Sequence, residues 1–222
     1  MSISEKLQII ADNTQKVYDA GKQAEYDAFW DTFQNNGART SYSYTFTSWR
    51  NDCYKPKYPI TVRGSAVQMF YYTQIKDTLV DIDLTNCTGA YGLFYQAASL
   101  ETIRKLIIPS TLNLGDTSVF KGCSSLKNIN IEGTLCQSIN LQDCPMLTRA
   151  SIENIISHLC VTEPTEPTPD FLYGTVTLSL EAVDREFAEY DTDGEVLCVG
   201  SETADWSGLI TEASRYWDIV LV

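Results

Sequence analysis

The chain has one histidine, His158, and Cys160 stands two residues from it. Two residues apart on a helix, they project from different sides, so they make no nucleophile–base pair. Asp191, Asp193, Gly194 and Glu195 resemble the opening of a calcium loop. Glu202 stands twelfth from Asp191, but the stretch does not match the full loop pattern. No Gly-rich phosphate loop, zinc-protease motif or nucleophile elbow occurs. Carboxylate pairs are common, as an acidic surface makes them, and define no glycosidase dyad without geometry. The expectation is no enzyme, no metal and no cofactor. Recognition is the chemistry left: Tyr71, Tyr72, Tyr91 and Tyr95, in and beside recurring turns, offer flat rings with polar tips as binding contacts.

The charge limits the partners. With 29 acidic against 16 basic residues, the formal charge is −13. That disfavours nucleic acid, whose phosphates require a basic footprint, and direct docking on acidic membranes or phosphate-rich polymers. The hydrophobic share is 44% and the aromatic share 11%, which is enough for a folded core. Seven cysteines stand at 53, 87, 123, 136, 144, 160 and 198, with no C-x-x-C pair. Cys123 and Cys144 occupy matching places before Leu126 and Leu147, so small buried thiols explain them better than a disulfide framework. No apolar stretch reaches the length of a membrane span and no signal-peptide pattern opens the chain, so synthesis in the cytoplasm is expected.

The elements that must position these residues follow from periodicity. Ser2 and Glu5 make a capping box, and a helix is expected to about Phe33. Ile3, Leu7, Ile10, Thr14, Val17, Gly21, Ala24 and Ala28 keep a 3–4 alternation, a narrow coiled-coil-like seam. Its favoured partner is another copy of the chain; packing on its own domain is the alternative. Tyr26, Phe29, Trp30 and Phe33 form a broader aromatic face suited to docking on the head. Residues 41–49 alternate small polar with aromatic side chains, a half-buried strand or, alternatively, a sugar platform. Leucines at 79, 100, 126 and 147 are spaced 21, 26 and 21 apart and open strand-like segments. A period of roughly 20–29 residues marks a leucine-rich repeat. Phe70, Phe94 and Phe120, spaced 24 and 26 apart, are placed to stack coil on coil. Ile82, Leu84, Ile103, Ile107, Ile129 and Ile131 are the expected buried strand residues. A short helix through Ile152–Leu159, a proline-rich loop at 163–169, a strand at 174–180, helices near 181–190 and 206–217, and a terminal strand complete the chain.

The expected fold is thus an α/β repeat: a leucine-rich-repeat solenoid with a long N-terminal helix and a C-terminal α/β cap. Its parts are an oligomerising helix (1–36), a β-rich N-terminal cap (37–78), the solenoid (79–160), and the proline-rich loop with the C-terminal cap (161–222).

The segment Val119-Phe-Lys-Gly-Cys-Ser-Ser-Leu-Lys-Asn-Ile-Asn-Ile-Glu-Gly133 resembles the repeat of BspA-like leucine-rich proteins. The opening, Glu5–Asn13 with Lys16–Asp31, and the Tyr54-Lys-Pro-Lys-Tyr58 segment are similar to repeat proteins encoded in prophage tail regions of Firmicutes. The resemblance spans nearly the whole chain and implies a phage tail-associated virion protein of the tail-fibre or receptor-binding type. It would display its surface to a host protein or neutral glycan, as a homotrimer beside other tail proteins, with no nucleic acid or membrane partner. Its rivals are a purely structural baseplate, collar or capsid-fibre component, a bacterial BspA-like interaction protein, and a wall hydrolase, which the missing motifs disfavour.

Overall fold

The structure, a computed structural model, describes residues 3–43, 45–47, 56, 58–115, 117–161, 172–190, 192–193 and 196–222. Ser2, Trp49, Cys53, Tyr54, Lys55 and Lys57, the proline-rich loop, Asp191, Gly194, Glu195 and the side chains of Ile3, Leu7 and Ile10 lie outside the described residues.

Helix α1 runs over Ile3–Phe33. Trp30 is buried against Phe46, with ring centroids 6.0 Å apart. The Tyr58 hydroxyl donates to Asp31 Oδ1 at 2.6 Å, and Gln34 Nε2 donates to the Tyr58 carbonyl at 2.9 Å. These contacts dock the last turn of α1 on the head. Thr14, Val17, Gly21 and Ala24, all from the seam, are exposed, Val17 at 74%.

Four strands follow: β1 (Ile60–Ser65), β2 (Ile82–Gly89), β3 (Thr102–Ile108) and β4 (Asn128–Gly133). All pair in parallel, in the order β1-β2-β3-β4. Ile82, Leu84, Ile103, Ile129 and Ile131 are buried on this sheet. Ile107 is only half-buried, which corrects the expectation for it. Ile103 pairs with Ile129 but Leu106 with Ile131, so β3 carries one extra residue between the pairs. That irregularity resets the alternation and turns Leu106 and Ile108 inward instead.

The fold class also needs correction. The molecule is an α/β fold built on a four-stranded parallel sheet, preceded by α1 and followed by short helices, not a leucine-rich-repeat solenoid. Leu79 is not equivalent to the other leucines. It is half-buried at φ +68° in a turn, where its N–H donates to Asp77 Oδ1 at 2.7 Å, whereas Leu100, Leu126 and Leu147 are buried. The first 21-residue step is therefore a coincidence of spacing. The sheet begins at Ile60, before the expected repeats, and ends at Gly133, well inside them.

A helix face ends the sheet. Helix α2 (Arg149–Ser157) lies along the open edge of β4. Ile129 N–H donates to Ser151 Oγ at 3.1 Å, Ile131 N–H donates to Asn154 Oδ1 at 2.7 Å, and the Ser151 hydroxyl donates to the Lys127 carbonyl at 2.9 Å. Ser151 and Asn154, three apart, share one helix face. They supply the partners a fifth strand would have supplied, and so close an edge that would otherwise invite another strand.

The chain then builds a second sheet from distant pieces. Strands β5 (Ile139–Leu141), β6 (Gly174–Leu178) and β9 (Trp217–Leu221) pair in parallel in the order β5-β6-β9. The strand expected at 174–180 is β6 of this sheet. Between β6 and β9 come helix α3 (Leu180–Glu186), a small antiparallel pair of β7 (Glu189–Tyr190) with β8 (Val196–Cys198), and helix α4 (Ala204–Ile210). Gly174 is required by a close approach: a Cβ there would stand 2.7 Å from Ser138 Oγ and 2.9 Å from Ser138 N. The Ser138 hydroxyl accepts from Thr175 N–H at 3.0 Å. Arg185 fastens the second sheet's helices to the first half, donating to the Pro145 carbonyl at 2.5 Å and the Leu147 carbonyl at 2.7 Å.

Candidate recognition site: a tyrosine groove

Three turns with related sequences lie one above the other. They read Gln68-Met-Phe-Tyr-Tyr72, Gly92-Leu-Phe-Tyr-Gln96 and Ser118-Val-Phe-Lys-Gly122. Each needs left-handed backbone: Gln68 is at φ +49°, Tyr72 at +51°, Gly92 at +61°, Gln96 at +57° and Gly122 at +75°. A ladder of main-chain bonds holds the turns in register. Gln68 N–H donates to the Tyr91 carbonyl (2.9 Å), Phe70 to Leu93 (2.8 Å), Tyr72 to Tyr95 (2.9 Å), Phe94 to Val119 (2.9 Å) and Gln96 to Lys121 (2.7 Å). Gly92 N–H donates to Ser118 Oγ at 3.1 Å.

Register turns sequence into two aromatic columns. The inner one stacks Phe46, Phe70, Phe94 and Phe120 at centroid distances of 5.0, 5.2 and 5.6 Å. The residue after each repeat phenylalanine faces outward, so Tyr71 stacks on Tyr95 at 5.3 Å with an interplanar angle of 11°. Tyr72 stands edge-on to Tyr71, with centroids 4.5 Å apart. The third turn has Lys121 at the equivalent place, which ends the outer column.

A cavity of about 190 Å³ opens beside this column. Gln68, Tyr71, Tyr91, Gly92, Tyr95 and Ser118 line it, and none of them carries a formal charge at pH 7. Of the four tyrosines expected as contacts, the structure brings Tyr71, Tyr91 and Tyr95 to the cavity wall. Tyr72, 49% exposed, packs at its margin and Tyr91 is 56% exposed. Partial desolvation, then the neighbouring phenols of Tyr72, Tyr95 and Tyr91, raise the Tyr71 hydroxyl above the usual tyrosine range. The groove thus presents ring carbon, phenol hydroxyls, an amide and a serine hydroxyl.

Gln68, Gly92 and Ser118 are missing from the sequence-derived contacts. Each sits two residues before a stacked phenylalanine, so the Phe70–Phe94–Phe120 spacing held the signal. Gly92 also leaves room for the wall: a Cβ there would lie 3.1 Å from Gln68 Cγ.

Elsewhere, His158 Nδ1 lies 2.8 Å from the Asn154 carbonyl of its own helix, and Cys160 N–H donates to the Leu135 carbonyl. Among the described residues no cluster of His, Cys, Asp and Glu could hold a metal ion, and no helix is long and apolar enough to cross a membrane. Comparisons with protein-family models, with curated proteins and with solved structures found no match.

Proposed function

We propose that this chain is a non-enzymatic, phage tail-associated virion protein of the receptor-binding type, whose tyrosine groove contacts a neutral glycan on the host surface. The observation that carries the reading is the groove: stacked and edge-on tyrosines beside a small cavity whose wall is wholly uncharged. Aromatic faces cover the apolar faces of a sugar ring, while hydroxyls and an amide satisfy its hydroxyls. The cavity is well below the about 300–1,000 Å³ of sites for drug-sized ligands, which suits a single sugar ring. An anionic polymer would find no cation in this wall, and the net charge of −13 would repel it. The phage setting rests on the similarity of the opening and of the Tyr54–Tyr58 segment to proteins of prophage tail regions.

In this reading α1 gathers copies through its seam, and three copies are favoured on the same resemblance. One weak sugar contact per chain then becomes useful through avidity. The exposed seam residues Val17 and Ala24 support a partner for this face, and the 3–4 spacing fits another copy of the same helix.

Titration with neutral oligosaccharides, followed by NMR and by a glycan array that includes sialylated and sulfated glycans, tests the groove. Neutral glycans are expected to bind, and Tyr95→Ala to weaken binding about tenfold or more, equivalent to about 1.4 kcal/mol. Binding only to anionic glycans, or binding indifferent to Tyr95→Ala, overturns the reading. Light scattering tests assembly: the wild type is expected as an oligomer and Val17→Asp, which puts a charge in the seam, as a monomer with an intact head. A monomeric wild type removes the helix from this account.

A further inference from the structure

Two cysteines meet where short extended segments cross the junction between the two sheets. Leu135, after β4, and Leu159, after α2, form a parallel bridge. Leu135 N–H donates to the His158 carbonyl at 2.8 Å, and Cys160 N–H donates back to the Leu135 carbonyl at 2.8 Å. Cys136 and Cys160 stand one residue beyond the bridged pair on adjacent parallel segments. Such neighbours lie about 4.7–4.9 Å apart, within the Cα separation of about 4.4–6.8 Å that a disulfide spans. Residues at paired positions project to the same face, and burial, then the neighbouring Cys160 thiol, push the Cys136 thiol up to about 11. Trp217 Nε1 donates to the Cys160 carbonyl at 2.8 Å and anchors this segment to the second sheet. Both cysteines are unbridged here.

We propose that Cys136 and Cys160 are a disulfide-forming site that takes a small disulfide oxidant of the glutathione class. Cys136 is half-buried and Cys160 buried, so Cys136 meets the oxidant first. Its thiol loses a proton, attacks one sulfur of the oxidant and breaks the oxidant's S–S bond. One small thiolate leaves and takes up a proton. The Cys160 thiol then loses its proton, attacks Cys136 Sγ in the mixed disulfide and displaces the second small thiolate. Two protein thiols are oxidised to one disulfide and one small disulfide is reduced to two thiols. The other described cysteines are placed differently. Cys123 and Cys144 are fully buried, the Cys123 thiol donating to the Phe94 carbonyl at 3.1 Å. Cys87 donates to the Gly89 carbonyl at 3.2 Å, and Cys198 lies on β8.

The bond would tie the exit of the first sheet to the exit of α2 and close a loop of roughly 25 residues that carries β5 and α2. A cross-link of that size raises the melting temperature by on the order of 10 °C. The test uses the full native chain at pH 8 with oxidised glutathione, then alkylation under denaturing conditions, trypsin digestion without reductant, and tandem mass spectrometry. The expected product links the peptides 128–149 and 150–185 through Cys136 and Cys160, with Cys144 in the first peptide alkylated, and the melting temperature rises. Cys136→Ser and Cys160→Ala should each lose both the linked pair and the rise, while Cys198→Ser keeps both. A stable glutathione adduct on Cys136 with no linked pair overturns the proposal. So does a link through any other cysteine, or a link with no change in melting temperature.

Discussion

The two sheets are assembled on different principles. In the first, neighbours in space are neighbours in sequence: β1, β2, β3 and β4 lie side by side in chain order, joined by turns that stack on one another. In the second, β5, β6 and β9 are drawn together across intervening helices and an antiparallel pair. The first is held by columns of like residues, such as the four stacked phenylalanines. The second is held by single locks: Ser138 under Gly174, Arg185 on two carbonyls, and Trp217 on Cys160. Repetition spreads stability over many equivalent contacts, whereas long-range pairing concentrates it in a few positions.

That contrast can be broken at its strongest point. Phe94 is fully buried between Phe70 and Phe120, so Phe94→Ala leaves a cavity in the middle of the inner column. It should cost about 3–5 kcal/mol in urea unfolding. Phe94→Leu, which refills much of the space, should recover most of it. A cost below about 1 kcal/mol for Phe94→Ala would mean that the stack is not what holds the turns in register. The second sheet is probed by Gly174→Ala. The added Cβ meets Ser138 Oγ and the Ser138 backbone nitrogen, so a backbone shift is forced. The cost should be about 1–3 kcal/mol. Hydrogen exchange should loosen β5, β6 and β9 while leaving β1–β4 protected. Equal loosening of both sheets would show that they unfold as one unit.

The smallest effect sharpens the comparison on the outer face of the first sheet. Glu101 lies between Lys76, at 2.9 Å, and Lys127, at 3.0 Å. Hydrogen bonds from Lys76 and then Lys127 hold its carboxyl below the usual glutamate range of about 4.5. A depressed folded-state pKa adds stability that is present above the unfolded value and lost as pH falls through the folded one. Thermal melts from pH 6 down to pH 3 should therefore show Glu101→Gln flattening the acid-side loss slightly, with an effect that shrinks in high salt. An unchanged profile would mean the pairing contributes nothing measurable in water, as is common for exposed ion pairs.

Legibility in the sequence follows the same division. The phenylalanine spacing placed Phe70, Phe94 and Phe120 in one stack, because a residue that recurs once per turn must face the same way in each. The strand residues Ile82, Leu84, Ile103, Ile129 and Ile131 were legible from their alternation. Ile107 was not, because the extra residue in β3 exists only in its pairing with β4. Leu79 misled because a leucine at an apt spacing looks the same whether its backbone is extended or left-handed.

By itself, the sequence determined which residues have the chemistry for recognition. It also determined that turns bearing Phe-Tyr recur, because both depend on residue type and local period. Tertiary structure alone decided that Tyr71, Tyr91 and Tyr95 share one wall with Gln68, Gly92 and Ser118, since main-chain bonds between turns set that register. It alone decided that the first sheet stops at β4. Ser151 and Asn154 are ordinary helix residues in the sequence and become edge partners only when α2 lies along the strand. The second sheet was decided last and from furthest away. Parallel pairing of β5, β6 and β9 has no local signature, because the partners of each strand's N–H and C=O groups lie tens of residues off along the chain.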